Sequence, residues 1–329
     1  MKKFIWIFNT VVLIFFVIIL TDFLGLAGSK KEVTVQIKEG DGISAISQRL
    51  KDENIVISKY MFQFFCKIGN SDIKINPGEF TVSSKMSYKK ITDEIEHASA
   101  DAVTVTIPEG FENREIIERL KANDIITNEQ QFQNALSTYS FTLDDGTVIS
   151  VEKNYLSGFL FPDTYNFRHK AKCEDVIEIM TDNFKRHWIS EYTKEAEKLG
   201  MTVEEAVILA SIIEREANNA DDFKLVSSVF HNRLKKGMKL ESCATVQYIL
   251  SERKPVLSIA DTKIDSPYNT YKYEGLPPTA IAAPGLLAIE SALYPEESDY
   301  LFFFTDKNGI THFSKTNSEH NNLISKYGL

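Results

Sequence analysis

Val33-Thr34-Val35-Gln36-Ile37-Lys38-Glu39-Gly40 returns as Val103-Thr104-Val105-Thr106-Ile107-Pro108-Glu109-Gly110, seventy positions on and without a gap. The register holds further along: Ile46 matches Ile116, Arg49-Leu50-Lys51 matches Arg119-Leu120-Lys121, Ile55 matches Ile125, and Phe62-Gln63 matches Phe132-Gln133. A match kept this long marks a duplicated unit, and a duplication constrains everything read after it. In each copy valine and isoleucine alternate with other residues, the period-two pattern of a half-buried strand. A Glu-Gly turn follows, then an amphipathic helix ending near Leu50 or Leu120 and a second helix around Phe62 or Phe132. The first copy continues through Asn76-Pro77-Gly78-Glu79-Phe80-Thr81-Val82, a turn and a strand, into a helix from about Tyr88 to His97. Units of this size serve equally as scaffold or as ligand grip, and the sequence places no catalytic cluster in them.

Toward the N-terminus, Phe4 to Ala27 is almost wholly apolar, broken by Asn9-Thr10 and Thr21-Asp22 and bracketed by Lys2-Lys3 and Lys30-Lys31. That length spans a bilayer as one helix. A cleaved signal peptide is the competing reading, with small residues at Leu26-Ala27-Gly28-Ser29, but the run exceeds the usual apolar stretch of ~7–15 residues. Both readings send the body of the chain across the membrane. The lysine pairs leave the charge rule level, and a short basic N-terminus before a long translocated domain places the N-terminus in the cytoplasm.

Toward the C-terminus the character changes after Asp144-Asp145-Gly146. Tyr155 to Phe167 is dense in aromatics, helical periodicity runs from about Glu174 to Leu199, and Lys254 to Pro284 is loop-rich. Tyr300-Leu301-Phe302-Phe303-Phe304, a turn at Asp306-Lys307-Asn308-Gly309 and Ile310-Thr311-His312-Phe313 read as a hairpin. The expected architecture is α+β in four parts. These are a cytoplasmic tail and transmembrane helix over 1–29, a small βααβ unit over 30–99, a related βαα unit over 100–150, and a mixed α+β domain over 151–329.

Composition narrows the function. The 329 residues are 43% hydrophobic and 25% charged, enough apolar surface for packed cores in more than one module. A net charge of -9 excludes a nucleic-acid partner, which needs a concentrated basic face. Cys66, Cys173 and Cys243 lie far apart, and the six histidines lack ligand spacing. There is no glycine-rich phosphate loop, His-Glu-x-x-His or Gly-x-Ser-x-Gly, so neither a metal nor another cofactor is expected.

What remains is an acid on an apolar helix. Thr202 with Glu205 forms a capping box, and the helix runs through Ala206-Val207-Ile208-Leu209-Ala210-Ser211-Ile212-Ile213 into Glu214-Arg215-Glu216. Glu216 falls over Ile212 and Ile213 in line with Leu209, and a carboxyl on such a stripe loses solvation and holds its proton toward neutral pH. That is the property a glycosidic general acid needs. A solvated last turn is the plainer reading, and spacing alone does not choose between the two glutamates. Beyond the helix lie groups suited to a polar polymer: Asn232-Arg233, Gln247-Tyr248, and Tyr268-Asn269-Thr270-Tyr271. Tyrosine rings cover sugar faces, while amides and guanidinium bond hydroxyls and acyl groups. Each tyrosine taken singly also fits ordinary packing.

Gly158-Phe159-Leu160-Phe161-Pro162-Asp163-Thr164-Tyr165, Ala210-Ser211-Ile212-Ile213-Glu214-Arg215-Glu216 and Val229-Phe230-His231-Asn232-Arg233-Leu234 resemble the endolytic murein transglycosylase family, also called MltG or YceG-like. So do Tyr268-Asn269-Thr270-Tyr271, Gly275-Leu276-Pro277-Pro278 and His312-Phe313-Ser314. The resemblance covers nearly the whole chain. It implies a single-pass membrane protein with a LysM-like segment before a catalytic domain that cuts nascent peptidoglycan strands internally, near the wall-synthesis synthases. It carries the catalytic acid to Glu216 and makes Glu214 a neighbour that tunes the acid or caps the site. It also implies the bond cut, between MurNAc and GlcNAc, with a 1,6-anhydroMurNAc end. The chain departs from the family's pattern at Ser157, at Cys243-Ala244 before Thr245-Val246, and at Ala217 after the acid. Two rivals stand beside it, a wall-binding scaffold with a silent cleft and a hydrolytic muramidase.

Overall fold

β1 (Glu32–Ile37) opens the first copy of the repeat, and α1 (Ile43–Asp52), α2 (Lys59–Gly69), β2 (Gly78–Ser83) and α3 (Tyr88–Ala100) complete it. The structure, a computed structural model, describes residues 20–25, 32–38, 40–69, 75, 78–100, 102–150, 156–250 and 252–328. The apolar run expected to cross a membrane lies outside the described residues except for 20–25. Among the described residues no helix is long and apolar enough to span.

β1 and β2 pair antiparallel with Val33 opposite Val82 and Val35 opposite Phe80. The period-two alternation sends Val35 and Ile37 inward, where they meet Ile46 and Leu50 of α1, Phe62 of α2, Val82, and Ile91 of α3. Full burial of a side chain such as Phe62, 0% exposed, contributes roughly 2–3 kcal/mol. α1 stops where Asn54 takes φ 58° and the Ile55 amide turns back to the Leu50 carbonyl at 2.8 Å. Residues 20–25 sit on this module: the Asp22 carboxylate accepts from the Ile57 amide at 3.0 Å and the Tyr88 hydroxyl at 2.5 Å.

The second copy supplies β3 (Ala102–Thr106), α4 (Asn113–Ala122) and α5 (Glu129–Thr138), followed by a hairpin of β4 (Ser140–Thr142) and β5 (Val148–Ser150) and then β6 (Thr164–Arg168). Here β3 takes β6 as its partner. By compactness the chain forms two units. One comprises 1–105 with 123–125 and 165–171, the other 106–122, 126–164 and 172–329.

Helical periodicity expected to continue from Glu174 to Leu199 is divided into α6 (Cys173–His187) and α7 (Ser190–Lys198). The break comes at Trp188, whose backbone turns to φ -90° and ψ 93°. Its ring is thereby buried on Phe184, centroids 5.6 Å apart, with Nε1 donating to Thr193. Tertiary burial of a large ring overrides local periodicity.

α8 (Val203–Glu216) is the central helix of the larger unit, followed by α9 (Phe223–Lys235), α10 (Cys243–Ile249) and α11 (Leu286–Leu293). β7 (Phe302–Thr305), β8 (Thr311–Ser314) and α12 (Asn317–Tyr327) close the chain. α8 opens on the expected capping box: Thr202 Oγ1 accepts the Glu205 amide, and the Glu205 carboxylate accepts the Thr202 amide. Ala206 to Ile213 are all buried, so this helix is held by neighbours on every side, α7, α9, α10 and α11. Ser211 is satisfied by donating to the Ile208 carbonyl and accepting the Ile281 amide, which ties the proline-rich loop to the helix. Gly158, at φ 86°, crosses α8 so closely that a Cβ would lie 2.6 Å from Val207 Cγ1. Only glycine fits there.

Candidate active site

The C-terminal turn of α8 carries Glu214, Arg215 and Glu216, and residues two apart on a helix face different ways. Glu216 is partly buried, and its Oε1 accepts from Ser242 Oγ at 2.5 Å and from the Ala244 amide at 3.0 Å. Both donors come from the start of α10. Ser242 is itself buried, its amide held by Thr270 Oγ1 at 3.0 Å, so the hydroxyl is aimed by the fold. Burial raises the Glu216 pKa, while Ser242, the amides of Ala244 and Cys243, and Arg215 pull it down; the net direction is upward.

Glu214 meets other surroundings. Its Oε2 accepts the Gly285 amide at 3.0 Å, at the start of α11, and burial beside the Glu109 carboxylate pushes its pKa up to about 7, with the Gly285 bond and Arg215 opposing. Arg215 donates to the Gly110 carbonyl at 3.2 Å. The Glu109-Gly110 turn of the second repeat therefore packs against the end of α8.

A cavity of about 600 Å³ opens in front of Glu216. Arg215, Ser242, Cys243 and Tyr271 line it on one side, and Phe302, Phe303, Phe304 and His320 on another; Glu214 is not part of its wall. Two titratable groups on one turn thus differ in access: Glu216 faces space for a ligand, Glu214 faces backbone. Among the described residues no cluster of three or more His, Cys, Asp or Glu could hold a metal ion.

The structure brings Glu216, Arg233 and Tyr271 around this cavity. Arg233 is 6% exposed, and its guanidinium donates to the carbonyls of Leu301 at 2.6 Å and Leu240 at 2.9 Å while lying over Phe302. Tyr271 Oη lies 3.0 Å from Cys243 Sγ. Asn232 lines a separate cavity of about 1040 Å³ with His231 and Gly275 to Pro278, and donates to the Ser298 and Tyr300 carbonyls. Gln247 clasps Lys254 through both amide atoms, 2.6 and 3.0 Å. Tyr248 lies against Tyr268, ring centroids 4.9 Å apart, and burial pushes its phenol up to about 12. Tyr268 Oη meets Thr279 Oγ1 at 2.9 Å. Asn269 is fully buried, donating to the Thr262 and Ile264 carbonyls and accepting the Tyr271 amide. These last four hold the loop from Lys254 to Pro284 in shape and do not line the Glu216 cavity.

Sequence reading missed Ser242, Glu109, Phe302 to Phe304 as a cavity wall, and His320. His320 had a local signal, the capping box of Thr316 and Glu319 that opens α12. Its ring stacks on Phe302, with Nδ1 buried and without a hydrogen-bond partner. Glu109 had none, because a turn meeting a helix end a hundred residues away leaves no local pattern.

The family model described as YceG-like matches residues 35–326 of the chain. An endolytic murein transglycosylase of Bacillus subtilis (strain 168) is 32% identical over 310 residues, covering 91% of this chain and 86% of that protein. The endolytic murein transglycosylase of Streptococcus pneumoniae serotype 2 is 30% identical over 92% of this chain, which spans 59% of that longer protein. The crystal structure of a protein described as YceG-like from Listeria monocytogenes superposes with a TM-score of 0.57 at 33% identity, over 90% of this chain and 100% of that one.

Proposed function

The chain belongs to the YceG-like family, and from that premise we propose that it is an endolytic lytic transglycosylase of peptidoglycan, with Glu216 as its acid and base. The observation that supports this most is the placing of Glu216. A carboxyl raised in pKa by burial, with Oε1 fixed by Ser242 and Ala244, fronts a cavity large enough for sugar rings. Cutting a glycosidic bond needs a proton delivered to the leaving oxygen and stabilisation of an oxocarbenium-like sugar.

Glu216 protonates the oxygen leaving the muramic-acid carbon, and the acetamido group of the same sugar supports the developing positive charge. The carboxylate then takes the proton from that sugar's six-position hydroxyl as its oxygen closes on the anomeric carbon. The bond to GlcNAc breaks, a 1,6-anhydroMurNAc end forms, and no water is consumed. The carboxyl ends as it began, protonated. Tyr271 borders the substrate directly, and Arg233 shapes the wall through Phe302. Glu214 acts as a neighbour that holds the start of α11 in place.

The run from Phe4 to Ala27 anchors the protein in the membrane, with the body on the outer face where murein lies, within reach of strands leaving the synthases. The duplicated units are LysM-like modules, the first over 30–99, the second over 100–150, ahead of a catalytic domain over 151–329. Digestion of purified murein strands, with the new ends weighed, tests the assignment. Anhydro ends are expected; reducing muramic ends indicate a hydrolytic muramidase, and intact strands a scaffold.

A further inference from the structure

Ile57, Tyr60, Phe64 and Ile68 are 46, 70, 59 and 69% exposed. From Tyr60 they recur every four residues along α2, with Ile57 three residues before, so they form one stripe. The core of this module is on the other face of α2, where Phe62 and Cys66 are 0 and 3% exposed. The second repeat is an internal control. The positions seventy further on are Thr127, Gln130, Asn134 and Thr138, all polar. This fold does not need apolar residues on that face, and a contiguous exposed apolar stripe marks a surface that something covers.

What covers it is indicated by the neighbouring chain. Residues 20–25 are the end of the N-terminal apolar run, and they are seated at the head of the stripe. Asp22 holds the amide of Ile57, the first member of the stripe, at 3.0 Å, and the Phe23 ring meets Phe65 of α2 at 5.4 Å. Leu20 and Leu24 are 41 and 46% exposed beside it. Lys67 is exposed on the same helix, a long-stemmed cation of the kind that reaches acidic headgroups. We propose that the α2 stripe lies in the interfacial zone of the bilayer, the first repeat resting on the lipid surface as a second membrane contact beside the anchor. An amphipathic face of this kind enters the headgroup–acyl boundary by roughly 5–10 Å. One spanning helix leaves a body free to swing; a second point of contact restrains the first repeat about that axis. The inference rests on the anchor proposed above.

The full-length protein is reconstituted in phosphatidylglycerol–phosphatidylethanolamine vesicles carrying a diazirine phospholipid, irradiated, and the lipid adducts are mapped by mass spectrometry. Adducts are expected on residues 4–25 and 57–68, with only background on 127–138. Phe64→Glu, on an exposed side chain, should lower the 57–68 label about tenfold and leave the 4–25 label unchanged. Label on 4–25 with 57–68 at background overturns the proposal and leaves the anchor standing. Absence of label from both segments overturns the anchor as well. Protection of 57–68 by a second copy of the chain in detergent, in place of lipid label, also overturns it.

Discussion

Arg49 and Arg119, seventy positions apart, donate from Nη1 to the equivalent carbonyls of Gln36 and Thr106, at 2.8 and 3.2 Å. Asn54 and Asp124 end the paired helices at φ 58° and 55°, and Gly40 and Gly110 turn at 78° and 75°. Backbone and core agree position by position; the surroundings do not. In the first copy Arg49 is completed by an ion pair with Asp41, whereas Arg119 lies over Phe111, 5.2 Å from its centroid. Around Gly40 there is open space, while Gly110 faces the side chains of Arg215 and Glu214. Buried Glu112, which replaces Gly42, binds Arg114 and Arg253. Duplication thus supplied one skeleton, and residues off the repeat pattern gave one copy a place against the end of α8 and the other an apolar outer stripe.

The largest expected effect separates the copies by function. Phe62→Ala and Phe132→Ala each empty a fully buried site and should each cost about 3–5 kcal/mol locally. Murein cleavage should survive the first and fall with the second, whose helix packs on α6 of the larger unit. Equal loss of cleavage in both would break the comparison.

A smaller effect lies at the junction of the second copy with α8. Glu214 is raised from 4.5 to about 7. Between those values the folded chain keeps a proton that the unfolded chain has released, so stability falls as pH rises through that window. Glu214→Gln should remove this slope, gaining on the order of 2–3 kcal/mol relative to wild type above pH 7, read from urea midpoints across pH. Parallel profiles for both proteins would contradict the burial of Glu214.

The smallest effect should be shared. Gly40→Ala and Gly110→Ala both place a side chain at positive φ, and each should cost about 1 kcal/mol. A Cβ on Gly110 would lie 3.6 Å from Arg215, an ordinary contact, so the two losses should agree within about 0.5 kcal/mol in thermal melts. A much larger loss at Gly110 would show that the turn cannot yield against α8.

Much of this was legible because periodicity, turns and caps are local. The duplicated strand and helices, the capping box at Thr202 and the hairpin after Phe302 all lie where their patterns place them. The break at Trp188 was not, since a buried ring set it and no helix-stop residue marks it. At the site, the apolar stripe under Glu216 allowed its desolvation but read equally as a solvated last turn, and nothing in it marked that Glu214 would be desolvated too. Which glutamate meets open space depends on Ser242, Gly285 and Phe302, groups from three separate segments whose convergence only the fold creates. Asn269 and Gln247 show the converse: residues of the right chemistry for sugar, taken up by the loop's own carbonyls and amides.

Single-turnover cleavage of purified murein by Glu216→Gln and Glu214→Gln, compared with wild type, tests the central claim. Glu216→Gln cannot deliver a proton and should lower the rate by at least about a thousandfold with the melting temperature retained, while Glu214→Gln should stay within about tenfold. The reverse ranking, or full activity in Glu216→Gln, would move the acid off Glu216 and contradict the account.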